Sequence, residues 1–123
     1  MALIIGNVIH GDGFAGEGYG VPTANVELTQ KPDLAPGVYA GLAQFDERQF
    51  SCLICFDAER HNKFEVHLFD FVGNLYGKQL SVDVQFKLSD IVPWTGEEAM
   101  KKKVARDVAL ARAYFTQSLP QAH

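Results

Sequence analysis

"HGDGFAGEGYGVPTAN", residues 10–25, decides which fold the chain can take. It contains a formal G-x-G-x-x-G at Gly11, Gly13 and Gly16, the spacing of a dinucleotide-binding turn. That turn needs its last glycine to open a helix within a βαβ unit. Here Gly16 is followed by Gly18, Gly20 and Pro22, which no helix would tolerate. The doubly wound reading fails, and the stretch becomes a long connection between strands.

The sequence on either side punctuates as strands. "LIIGNVIH" (3–10) is apolar and β-branched, and "TANVEL" (23–28) follows the glycine-rich stretch. "GVYAGLAQF" (37–45) and "QFSCLICF" (49–56) flank the polar turn at residues 46–48. "KFEVHLFDF" (63–71) leads to a turn at Gly73 and Asn74, and "KQLSVDVQFKL" (78–88) follows. In the last, Leu80, Val82, Val84, Phe86 and Leu88 alternate with Ser81, Asp83, Gln85 and Lys87, as in a strand with one face in a core. Only the final quarter reads as helix, from about Glu97 to about Gln117. Thr95 and Glu98 have capping-box spacing, and Met100, Val104, Val108, Ala111 and Phe115 recur at helical intervals. About six short strands and one helix predict a small, mainly antiparallel β-barrel with a helix packed against it.

Composition agrees. The 123 residues suit one domain spanning 1–123, and 47% apolar residues with nine Phe allow a core without staples. No apolar run approaches a membrane span, and the N-terminus lacks the basic start of a signal peptide. Net charge is −4, and the trio Lys101, Lys102 and Lys103 reads as a solvated helix face. Nothing suggests a nucleic-acid groove. Cys52 and Cys55 form a C-x-x-C inside a strand, so their side chains point to opposite faces. Reduced, structural cysteines follow, as suits a cytoplasmic protein.

Two constellations carry chemistry. Glycines let backbone amides approach an anion closely, so the loop from Gly11 to Gly20 could cover a nucleotide or serve as a mere connection. Thr23 and Asn25, two apart on a strand, share one side. Their hydroxyl and amide oxygens suit Mg²⁺ that is also held by phosphates, or mark an ordinary strand start. In 63–71, Phe64, Val66 and Leu68 form the apolar face, with Glu65 and His67 opposite and Phe69 and Phe71 continuing their side. Glu65 reads as a general base or as an exposed surface carboxylate, and His67 as a structural histidine. His10, His61 and His123 have no metal-ligand spacing with it.

Taken together, "GNVIHGDG…GYGVPTAN", "PGVYAG", "FEVHLFDF", "LYGKQLSV" and "ARDVALARAYF" resemble the riboflavin kinase domain, in the same order and along almost the full chain. P-T-A-N after a glycine-rich loop is the most specific of these motifs. In bacteria this domain is usually the C-terminal half of a bifunctional FAD synthetase, and 123 residues leave no room for the adenylyltransferase half. The resemblance implies a six-stranded Greek-key antiparallel β-barrel with a C-terminal helix. It also implies ATP- and Mg²⁺-dependent phosphorylation of the riboflavin 5′-hydroxyl to FMN. Carried over, Gly11, Gly13, Gly16, Gly18, Gly20, Pro22 and Thr23 would bind the nucleotide. Thr23 and Asn25 would hold Mg²⁺, and Glu65 would be the general base. Phe69, Phe71, Trp94 and the start of the helix are candidates for the flavin side.

Three places depart from the family's usual pattern. Glu17 stands where the loop usually has a basic residue, "CLICFDAERHN" (52–62) lacks the usual Gly and Pro, and Leu88, Ser89 and Asp90 replace an L-R-P-like turn. These departures give weight to two other readings: a non-catalytic riboflavin- or FMN-binding module, and a kinase using another nucleotide.

Overall fold

The computed structural model describes residues 2–9, 23–58, 63–93 and 95–118. Six strands, β1 (Ala2–Ile9), β2 (Ala24–Val26), β3 (Gly37–Phe45), β4 (Arg48–Asp57), β5 (Lys63–Leu68) and β6 (Gln79–Ser89), precede one helix, α1 (Glu97–Ser118). The strands close into an antiparallel barrel in the order β1-β2-β5-β4-β3-β6, with β6 returning to β1. β3, β4 and β5 pair consecutively and β2 lies beside β5, which is the Greek-key arrangement.

Alternation decides what faces inward. Val8, Val26, Tyr39, Ile54, Phe56, Phe64, Val66, Leu80, Val82 and Val84 are buried together inside the barrel. The β3–β4 hairpin sets its register with a two-residue turn in which Asp46 and Glu47 both take positive φ, 47° and 63°. That geometry matches the right-handed twist of the flanking strands. Strand packing is tight where β3 crosses β6. A Cβ on Gly41 would lie 2.4 Å from the Asp83 carbonyl oxygen, so only glycine fits there.

The regular alternation expected along 80–88 breaks after Val84. Gly41 pairs with Val84 but Ala40 with Phe86, and a second shift separates Tyr39–Lys87 from Val38–Ser89. Each bulge adds a residue and turns the later side chains over. Phe86 therefore leaves the core and stacks on Tyr114 of the helix, centroids 5.3 Å apart, while Ser89 faces the helix. Leu88 packs not inside the barrel but under α1.

The helix lies across the outside of the barrel. Its Ala111 and Phe115 close a second apolar cluster with Val38, Ala40, Leu53 and Phe69. Gly96, not Thr95, caps it: φ there is +130°, and its carbonyl accepts the Met100 N–H at 3.1 Å. The lysine trio divides. Lys101 and Lys102 are exposed, but Lys103 turns inward, 2.7 Å from the buried Asp107 carboxylate and 3.0 Å from Ser89 Oγ. Ser89 in turn donates to Asp107 at 2.9 Å. This triad ties the helix to the end of β6. Among the described residues, no helix is long and apolar enough to cross a membrane.

Candidate active site on the outer wall of the barrel

Three polar residues, Thr23 just before β2, Asn25 on β2 and Glu65 on β5, meet on the outside of the barrel. The β2–β5 register sets Asn25 directly opposite Glu65 and Ala24 opposite Val66. Directly opposed residues share a face, so Asn25 and Glu65 point the same way and Thr23, two before Asn25, joins them. The Thr23 hydroxyl donates to Glu65 Oε2 at 3.3 Å. Glu65 is only 6% exposed, which excludes its reading as a free surface carboxylate. Its neighbours along the chain, Phe64 and Val66, are locked in the barrel interior and fix its backbone.

Glu65 has further company. On β4 its partner is Cys55, whose thiol is pushed up to about 12, first by burial and then by the Glu65 carboxylate beside it. Cys52 faces the interior and burial raises its thiol too; both cysteines are free and lie on opposite faces, as their spacing predicts. Lys63, two residues before Glu65 and on the same side, places Nζ 3.6 Å from Oε1. Nothing in the sequence signals this, because a lysine at a strand start ordinarily points to water. Asp107 escapes a reading of the sequence for the same reason: a charged residue beside an apolar helix stripe reads as solvated, yet it is buried.

The donor set suits Mg²⁺. This hard cation prefers oxygen ligands and commonly takes only one or two from protein, completing its shell with phosphates and water. A threonine hydroxyl that donates its proton to Glu65 keeps its lone pairs for a cation. Asn25 adds an amide oxygen on the same side. Among the described residues no group of three or more His, Cys, Asp or Glu has metal-binding geometry, so a metal held here would lean on phosphates.

The aromatic candidates part company. Positive φ at Asp70 (61°) ends β5 and breaks the alternation beyond Leu68. Phe69 stays on the outer side, edge-on to His67 at 5.3 Å and beneath the Arg112 guanidinium at 4.4 Å. Phe71 instead packs against the interior cluster with Phe45 and Phe50, and Arg48 lies 5.9 Å from its ring centre. Gly11, Gly13, Gly16, Glu17, Gly18, Gly20, Pro22 and Trp94 lie outside the described residues.

The flavokinase profile, described as riboflavin kinase, matches residues 2–115. The chain belongs to the riboflavin kinase family. It is 34% identical to the bifunctional riboflavin kinase/FMN adenylyltransferase of Pseudomonas fluorescens, over 98% of this chain and 39% of that protein. It is 31% identical to the Escherichia coli K12 protein of the same name, over 95% of this chain. The chain thus spans about two-fifths of these relatives' length, 39% in each case. Among solved structures, riboflavin kinase from Trypanosoma brucei shares the fold, with a TM-score of 0.72 over 98% of this chain and 88% of that one, at 15% identity. The fold of the riboflavin kinase family therefore persists where little sequence identity remains.

Proposed function

We propose that this domain transfers the γ-phosphoryl group of ATP to the 5′-hydroxyl of riboflavin, giving FMN and ADP, with Glu65 as general base. The observation that carries this reading is the convergence of Thr23, Asn25 and a buried Glu65 on one patch of wall, from segments some forty residues apart. Family membership supports it independently.

The chemistry asks for little beyond placement and charge neutralisation. A primary alcohol is a poor nucleophile at neutral pH, so a carboxylate within hydrogen-bond reach takes its proton as the oxygen attacks phosphorus. The bond from the γ-phosphorus to the bridging oxygen breaks, ADP leaves, and Glu65 returns its proton to solvent. Thr23 holds the carboxylate by its hydroxyl, and Thr23 and Asn25 would meet the phosphates from the same side of the wall. When bound, Mg²⁺ neutralises phosphate charge beside these oxygens. On the flavin side we retain Phe69, which shares the wall with Glu65 and His67.

The decisive experiment is FMN formation by the purified protein with riboflavin, Mg²⁺ and ATP, followed by chromatography, with CTP as competing donor. The Glu65→Gln variant is expected to lose about 10²–10⁴-fold in turnover, the usual worth of a general base, while still binding riboflavin. Wild-type turnover in that variant would remove Glu65 from the mechanism. Saturable quenching of flavin fluorescence without any product would instead mark a binding module.

A further inference from the structure

We infer that Lys63 is a positioning residue that holds the Glu65 carboxylate in its reactive orientation, an inference that rests on Glu65 being the base. The ion pair they form is one of two among the described residues whose side chains are both largely sequestered. The side chains of Lys63 and Glu65 are 15% and 7% exposed, whereas those of Lys87 and Asp90 are 37% and 82%, and those of Arg112 and Asp70 are 51% and 81%. Removing a lysine ammonium from water costs free energy, so a sequestered pair needs a compensating role.

The other sequestered pair among the described residues has an evident one: Lys103 and Asp107, with Ser89, join the helix to β6. Lys63 lies opposite Asp57 in the β4–β5 register, while its approach to Glu65, two residues on, runs along a single strand. What it fixes is the side chain of Glu65. Thr23, just before β2, holds Oε2 while Lys63 attracts Oε1 from along β5, so the carboxylate is braced at both oxygens. At 3.6 Å the ammonium acts by charge and does not take an Oε1 lone pair as a hydrogen bond would. That leaves Lys63 able to orient Oε1 without blocking its acceptance of a hydroxyl proton.

The test is a double-mutant cycle in FMN formation, with KM for ATP and riboflavin affinity from fluorescence quenching measured on each variant. Lys63→Met is expected to lower kcat about 10- to 10²-fold, the scale of a small misplacement of a reacting group, with riboflavin affinity and KM for ATP unchanged. Lys63→Arg, which keeps the charge, should recover most of that loss. Placed in the Glu65→Gln background, Lys63→Met should cost nothing further, because the group it orients is gone. An equal loss in that background, a raised KM for ATP with kcat preserved, or loss of riboflavin binding in both lysine variants would overturn the positioning role. A slow Glu65→Gln beside an unimpaired Lys63→Met removes Lys63 alone, whereas an unimpaired Glu65→Gln removes the general-base reading beneath it.

Discussion

Glu65 and Cys55 sit side by side on the outer wall, and burial acts on both. For Cys55 the consequence is measurable. An unfolded thiol ionises near its ordinary value of 9.0, but in the folded chain Cys55 holds its proton to about 12. A group whose folded pKa is raised stabilises the fold below its unfolded pKa, and this contribution is lost as pH rises toward the folded value. Stability should therefore fall between about pH 9 and 12, and Cys55→Ala should flatten that decline in urea titrations across the range. A second prediction at this scale concerns Asn25. If its amide oxygen faces the metal-bound phosphates, Asn25→Ala raises the Mg²⁺ concentration needed for half-maximal turnover and leaves riboflavin binding intact. An unchanged Mg²⁺ dependence removes Asn25 as a ligand.

The helix is the element whose attachment the sequence describes least completely. Its apolar stripe is plain from Met100 to Phe115, yet Asp107 is buried within reach of that stripe and carries Lys103 and Ser89 with it. Removing one member of such a pair strands the other in a poorly solvated place. Asp107→Ala is expected to cost about 3 kcal/mol in denaturant unfolding. Replacing the pair together, Lys103→Met with Asp107→Leu, should recover much of that loss, because no buried charge is left unpaired. Strand β6 teaches a related lesson. Its bulges beyond Val84 put Ser89 and Phe86 on the helix side, where Ser89 meets Asp107 and Phe86 meets Tyr114. Alternation in the sequence cannot reveal a bulge, since the extra residue is defined only by the partner strand.

At the scale of the whole molecule, closure of the barrel brings strand backbones into contact. Gly41 marks one such place, with the Asp83 carbonyl and the Ile54 side chain both within 2.6 Å of where a Cβ would stand. The carbonyl belongs to a hydrogen-bonded ladder and cannot step aside cheaply. Gly41→Ala should destabilise the protein by at least about 2 kcal/mol, seen as a lowered urea midpoint, although alanine is otherwise a mild change. Wild-type stability in that variant would show that β3 and β6 can slide apart there. Closure also assembles the site, for Thr23 and Asn25 meet Glu65 only because β2 reaches across the Greek key to pair with β5.

The sequence by itself determined the strands, the single C-terminal helix, the opposite facing of Cys52 and Cys55, and the failure of a dinucleotide fold. These follow from local periodicity and from backbone preferences of glycine and proline, which act within a few residues. It also pointed, through resemblance, to Thr23, Asn25 and Glu65. Only the tertiary structure decided that Glu65 is buried, that Lys63 braces it, that Asp107 and Lys103 pin the helix, and that Phe69 and Phe71 part. Each of these depends on what a second strand or helix places opposite a residue. Burial and charge pairing are properties of that neighbour as much as of the side chain, and no window of sequence contains both.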